Sequence, residues 1–409
     1  MRQIESPSPL LYDHGSCTIT TLSDAMRRSM RPKATCAVCE SLAMRFVTAT
    51  SDASRVRPFV LSLLAISYVC IAGGRLPAQE RSRPERVYYN LLNPAGLAIQ
   101  PGTDSVFISS RFGIYRYDPN YKQPTEHKAS IEIDGYPKQV DVFGTGPKYE
   151  IGPLGLAFLD RNHLVVGDGS RKKGEELVRV YKLPAAPPSP DEWIKEDAAE
   201  FTLGPIKAGT DSSTGEGDFF GVAVGHDAIW VTCHGDETKG WIAKSELKDG
   251  KPGPLKPTIA TKPATQVAAP GPITFTPDGK ELVVGLMGDV NSEERDSVIA
   301  FFDPADGSLK RKMSAGLFDV TGLAYSPKTK KLYATDFAWK KPREGGLFEL
   351  VVDGDKMKAT RIVALDKPAA LAFDPAGHLY VAVFEAQLDP GEKARAADPG
   401  ALLYIKPGL

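Results

Sequence analysis

The feature that most constrains this chain is a phrase that recurs six times between residues 96 and 405. Each copy holds a small, an apolar and another small residue, then a turn, a β-rich run, a polar loop and a further β run. The first runs from Gly96-Leu97-Ala98 through Val106-Phe107-Ile108 to Ile114-Tyr115-Arg116-Tyr117. The second joins Gly155-Leu156-Ala157, Leu164-Val165-Val166 and Val178-Arg179-Val180-Tyr181, and the third Gly221-Val222-Ala223, Ile229-Trp230-Val231 and Trp241-Ile242. The fourth starts at Pro272-Ile273-Thr274, the fifth at Gly322-Leu323-Ala324 and the sixth at Ala370-Leu371-Ala372. Successive starts are 59, 66, 51, 50 and 48 residues apart. That period fits about four short strands per unit with variable loops, the period of a propeller blade. Turn signals such as Pro277-Asp278-Gly279 and Pro375-Ala376-Gly377 separate the runs, and no stretch carries a helical period.

The expected fold is therefore all-β: a six-bladed β-propeller of four-stranded blades. Gly or Ala opening five of the six innermost strands fits a crowded axis where only small side chains pass. Strand alternation shows inside the units, as Ile114 and Arg116 against Tyr115 and Tyr117. The sixth unit ends just after its third strand at Leu409. Arg86-Val87-Tyr88-Tyr89-Asn90 is expected to supply the missing strand and close the ring, which removes two exposed edges at once.

Residues 59–72 form an uncharged apolar run preceded by Arg55 and Arg57 and followed by Gly73 and Gly74, then Arg75-Leu76-Pro77-Ala78. This is the pattern of a secretory signal, and it is short for a membrane span. Residues 1–78 are read as a leader, with Met44 as the expected start, and residues 79–409 as a single propeller domain, secreted or periplasmic. Cys36 and Cys39 make a lone C-x-x-C, read as incidental. Tyr68 and Val69 are too bulky to precede a lipidated Cys70. Loss of the leader turns a net charge of −1 into 41 Lys and Arg against 46 Asp and Glu, near −5, and leaves Cys233 alone. No internal disulfide is then available, nucleic acid is disfavoured as a partner, and a monomer without a membrane span is expected.

The phrases Gly322-Leu323-Ala324…Leu332-Tyr333-Ala334-Thr335-Asp336 and Gly96-Leu97-Ala98…Ile114-Tyr115-Arg116-Tyr117-Asp118 resemble NHL-repeat six-bladed propellers. More loosely, they resemble the gluconolactonase and strictosidine-synthase group. The latter resemblance implies a metal-dependent lactone or ester hydrolase with a metal-binding Glu early in the first blade and Asn and Asp in later ones. Here the first-blade phrase is Asn93-Pro94-Ala95-Gly96, without the Glu, and Val320-Thr321-Gly322 stands where the Asn is expected. Asp336 matches an Asp of the later motif. Glu216 lies before the third repeat and is not equivalent. These departures count against lactonase activity.

In such a ring the loops after the second strands open on one face. They carry Arg111, Asp168, His234, Asp236, Asp289, Asp336 and Glu385, the candidate ligand-binding residues. Grouped oxygen ligands suit Ca²⁺ or another divalent cation, with Asp289 and Asp336 as the metal candidates; a His with carboxylates suits Zn²⁺ or Mn²⁺. The competing reading is that Asp ends strands because it satisfies local backbone donors. Residues 211–218 read as a flexible loop, 289–294 as a solvated one and 184–200 as a surface excursion. Cys233, Trp230 and Tyr333 read as packing residues. No haem attachment motif, nucleophile elbow or phosphate-binding loop is present. The expectation is an exported propeller that binds a protein, glycan or small ligand at its loop face; the alternative is a metal-dependent hydrolase of gluconolactonase type.

Overall fold

The computed structural model describes residues 83–120, 129–137, 139–142, 148–384, 400–406 and 408–409, with 139–142 and 148 described by backbone alone. The apolar run 59–72, Met44, Cys36, Cys39, Cys70 and Glu385 lie outside the described residues. Strand β1 (Glu85–Leu91) is followed by an antiparallel run of β2 (Gly96–Ile99), β3 (Val106–Ser110), β4 (Gly113–Tyr117) and β5 (Ala129–Asp134). A hairpin of β6 (Gln139–Val142) and β7 (Lys148–Ile151) leads to β8 (Pro153–Asp160), β9 (His163–Asp168) and β10 (Val178–Lys182). The two-residue β11 (Ile194–Lys195) pairs back in parallel onto β5, and β12 (Phe201–Leu203) completes the second run beside β10.

The third run holds β13 (Val222–Gly225), β14 (Ala228–Thr232) and β15 (Trp241–Lys248), with β16 (Lys251–Pro252) and β17 (Lys256–Ala260) both pairing β15. Next come β18 (Pro270–Phe275), β19 (Leu282–Leu286), β20 (Val298–Phe302) and β21 (Leu309–Ser314). They are followed by β22 (Val320–Tyr325), β23 (Leu332–Asp336), β24 (Gly346–Asp353) and β25 (Lys356–Ala364). These two runs form one eight-stranded sheet, joined through the single parallel pair Ser314 and Lys356. The last run is β26 (Pro368–Phe373), β27 (Leu379–Val383) and β28 (Gly400–Ile405), and β1 pairs antiparallel with β28. The first and last strands of the described chain therefore share a sheet, and Leu91 of β1 is fully buried there.

The inner strands form a circuit: β2 packs beside β8, β8 beside β13, β13 beside β18, β18 beside β22, β22 beside β26, and β26 beside β2. The core sits between runs rather than on one face of each. In β3, Phe107 faces the second run with Leu156 and Val166, while Ile108 faces the last run with Tyr380 and Leu402. A sheet buried on both faces reads as a continuous apolar stretch, which is what the second strand of each repeat contains. Large apolar residues near the ends of the inner strands pack against the second strand of the run before. Phe158 meets Phe107 edge-on at 5.2 Å, and Phe373 meets Tyr333 at 5.4 Å.

Glycine at the inner-strand start answers to close approach. A Cβ on Gly96 would lie 2.1 Å from the Leu154 carbonyl oxygen, and one on Gly221 would lie 2.4 Å from that of Gly271. Each neighbour is the entry to the next inner strand.

Three readings of the sequence are refined. Arg116, read as sharing a strand face with Ile114, is buried between the first two runs, 2.6 Å from the buried Glu132 carboxylate. The excursion 184–200 lies largely on the surface, as read, but it also adds β11 to the first run and buries Glu196 beside Arg179. The 211–218 segment is packed rather than loose. Glu216 is fully buried, and its Oε1 accepts the Asp236 N–H at 3.1 Å. Trp230, Tyr333 and Cys233 are buried packing residues, as read, and burial raises the Cys233 thiol well above its ordinary pKa.

Candidate functional site

The ends of the second strands hold the predicted residues, each with a distinct set of partners. Asp168, 1% exposed at the end of β9, accepts the Ser170 N–H at 2.8 Å and its hydroxyl at 2.5 Å. It also pairs with Arg171, while Arg179 joins it to Glu196 at 2.5 Å. Asp236 accepts the Thr238 hydroxyl at 2.6 Å and both the N–H and hydroxyl of Ser213. These hydrogen bonds, the Thr238 hydroxyl foremost, hold its carboxyl well below the usual carboxylate range. His234 donates from Nε2 to the Pro270 carbonyl at 2.8 Å and lies parallel to Phe220. Arg111 is buried and pairs through Nε with Glu150 Oε2 at 3.3 Å. In all four, the polar groups are engaged in holding loops and neighbouring runs together.

The fifth run differs. Asp336, fully buried at the end of β23, accepts three backbone N–H groups: Phe318 at 3.1 Å, Asp319 at 2.9 Å and Ala338 at 3.2 Å. Asp319, which leads into β22, returns the link by accepting the Trp339 N–H on Oδ2 at 2.6 Å. The two loops that flank the start of β22 and the end of β23 are thus cross-tied by two carboxylates. Asp319 is 5% exposed. Burial pushes its carboxyl up to about 7, and Asp336, Asp296 and Asp289 reinforce the shift against the Trp339 N–H. Asp296 caps the Asp289 N–H at 3.1 Å through Oδ2, while its buried Oδ1 has no hydrogen-bond partner among the described residues. Gly288 at φ +83° allows this turn, since a Cβ there would lie 2.5 Å from Asp296 Oδ1. Asp289 itself is exposed, with Oδ1 accepting the Asn291 N–H at 2.9 Å.

An aromatic wall stands beside Asp319. Phe337 and Trp339 stack at 5.2 Å, and Phe384 lies edge-on to Phe337 at 5.6 Å. Tyr149, carried by β7 from between the first two runs, meets Trp339 at 5.2 Å and Phe384 at 5.1 Å. The base of that hairpin is fixed by the Arg111–Glu150 pair and by Asn93 Nδ2 donating to the Glu150 carbonyl at 2.8 Å. One corner therefore combines a carboxyl that titrates in the neutral range with several aromatic rings.

Of the predicted residues, the structure brings Asp289 and Asp336 to this corner and uses Arg111 to anchor the hairpin. Asp168, His234 and Asp236 serve other junctions. The donor set does not fit a hard cation on Asp289 and Asp336. Both Asp336 oxygens already accept backbone N–H groups, and among the described residues no three His, Cys, Asp or Glu stand close enough to share a metal ion.

Sequence reasoning missed Asp319 and the Tyr149 hairpin. A signal for Asp319 existed three residues before each inner-strand start, where Asn93, Gly152, Asp218, Ala269, Asp319 and Lys367 align. Asn93, Asp218, Ala269 and Lys367 have left-handed backbones there, with φ between 42° and 56°. The position is thus a recurrent bend just before the inner strand in four of the six repeats. Nothing local announces that Tyr149 reaches the fifth and sixth repeats.

No protein-family model matches the chain, and no curated protein matches it. Several solved structures are similar. A Thermus thermophilus protein described as an oxidoreductase (glucose dehydrogenase) superposes with a TM-score of 0.53 at 15% identity, over 80% of this chain and 100% of its own. A second glucose dehydrogenase gives 0.51 at 15% identity, over 80% and 100%. A Xanthomonas campestris gluconolactonase gives 0.48 at 14% identity, over 79% and 89%. At these identities the first two likenesses establish the fold alone, an all-β propeller, and the third is too distant to carry an argument.

Proposed function

We propose that this chain is an exported six-bladed propeller of NHL-like repeats that binds a small polyhydroxylated ligand at the second-strand face, in the corner of Asp319. The observation that carries this reading is the Asp319 carboxyl, buried beside the Phe337–Trp339 stack with a single backbone donor on Oδ2. A carboxyl near neutrality both donates to and accepts from hydroxyl groups, and aromatic faces take the apolar faces of a ring ligand. Sites of this kind join apolar walls to a few placed polar groups.

Glucose and gluconate are the probes, followed by the fluorescence change that a Trp339→Phe variant lacks. Saturable quenching in the wild type that Asp319→Ala abolishes is expected. Quenching equal in both, or none with either probe, overturns the reading. A second reading, hydrolysis of a lactone with Asp319 as general base, is favoured by the same neutral-range carboxyl. A δ-lactone hydrolysis assay in which Asp319→Asn is as fast as wild type removes it.

The six-blade count rests on the closed circuit of inner strands and on β1 completing the last sheet. Deleting residues through Leu91 should abolish cooperative unfolding, and an unchanged melting temperature refutes ring closure. Export rests on the 59–72 run, and an amino terminus of the exported product near residue 79 is the expected check. Among the described residues no helix is long and apolar enough to cross a membrane.

A further inference from the structure

A notch of about 280 Å³ lies where β1 closes onto β28, at the strand ends opposite Asp319. Its walls are Tyr117, Tyr380 and Tyr404, with ring centroids 6.4 Å apart for the first pair and 5.5 Å for the second. Tyr117 is 2% and Tyr380 3% exposed, yet neither hydroxyl forms a hydrogen bond with a described residue. The rings are buried but neither hydroxyl is sealed away from solvent; both open into the notch, where an incoming donor can reach their lone pairs.

Three carboxylates surround these rings. Glu85 and Asp104 stand exposed at the rim, and Asp374 is buried, accepting the His378 N–H at 2.8 Å and its Nδ1 at 2.5 Å. Among the described residues no Lys or Arg lines the notch. Burial first, then the adjacent acids, holds the Tyr117 hydroxyl up at about 12, so it stays a neutral phenol with open lone pairs. Aromatic faces, phenol oxygens and carboxylates share one preference, for a positive charge that donates hydrogen bonds. A metal ion lacks the ligands here, since among the described residues no three His, Cys, Asp or Glu form a metal-holding group.

We propose that this notch binds the protonated amino group of a primary alkylamine, with Tyr117, Tyr380 and Tyr404 around the alkyl stem and Glu85 and Asp104 at the ammonium. A free polyamine and a lysine side chain present the same chemistry. Calorimetric titration of the purified protein with 1,4-diaminobutane and with Nα-acetyl-lysine amide separates them, the tighter one identifying the source. Saturable binding of either is expected. The paired rim substitutions Glu85→Gln and Asp104→Asn should weaken it about tenfold, the loss of two partly screened charge contacts. Tyr380→Phe keeps the ring, removes one open acceptor and should weaken binding several-fold. Both rim residues are exposed, so an unchanged melting temperature will separate lost binding from lost folding. Absence of saturable binding at millimolar amine overturns the proposal. So does equal affinity in wild type and the rim variant, or tetramethylammonium, which has no N–H, binding as tightly as the primary amines.

Discussion

Asp168 and Asp336 occupy the same place in two repeats, the last residue of a second strand, yet their surroundings give them different consequences. Asp168 is enclosed by Arg171 and Arg179, with Glu196 brought in from the 184–200 excursion. Asp336 is held by three backbone N–H groups rather than by arginines, with a second carboxyl, Asp319, tied to the same pair of loops. The first arrangement neutralises its charge and fixes structure. The second leaves a buried acid whose proton is exchangeable near neutrality. Position in a repeat decides that an Asp sits there; the groups brought in from distant sequence decide what it does.

The largest effect separating the two should come from Arg179→Leu, which leaves Asp168 and Glu196 buried with less than their full complement of charge. A loss of about 3–5 kcal/mol is expected in urea unfolding. A loss below about 1 kcal/mol would mean the network is not what holds the second repeat, and the contrast fails.

The next effect is the pH dependence contributed by Asp319, isolated as a difference between wild type and Asp319→Asn because burial raises Glu132 and Glu176 as well. The Asp319 carboxyl titrates at about 7 in the folded protein and near 4 when unfolded. Below pH 4 both states hold the proton and the full stabilising contribution is present. Between pH 4 and 7 only the folded state retains the proton, so stability falls as pH rises, and above 7 the loss is complete. Wild type should therefore lose about 2–4 kcal/mol relative to Asp319→Asn across that window. Parallel stability–pH curves would show that Asp319 is not a proton-holding group.

Within the corner, Asp336→Ala should cost about 2–3 kcal/mol, because it strands buried N–H groups. Asp289→Asn, on the exposed turn, should stay within about 0.5 kcal/mol. Equal costs for the two would contradict the division drawn here between a structural carboxylate and a solvated one.

The repeat phrase alone revealed the strand order of each run and the use of Arg86–Asn90 as a completing strand, because local β propensity and turn chemistry recur with a fixed period. Burial of Trp230, Tyr333 and Cys233 was legible for the same reason. The candidate site was legible only in outline. The second-strand ends stand out in the repeat, but Asp236 and Asp168 are occupied by hydroxyls and arginines that the repeat does not foretell. Arg116 shows the same limit: alternation put it on one strand face with Ile114, and only the structure shows that face to be buried with Glu132 as the partner.

The sequence by itself determined a repeating all-β chain, the glycines where successive inner strands approach within about van der Waals distance, and the single cysteine beyond residue 78. Tertiary structure alone decided the pairing of charges, the raised Asp319 carboxyl, the reach of Tyr149 to Trp339 and Phe384, and the tyrosine notch at the closure. Backbone propensity and close approach are set by residues near in sequence. Desolvation and charge compensation depend on which distant groups arrive, and the packing of neighbouring runs along the inner strands is what brings them.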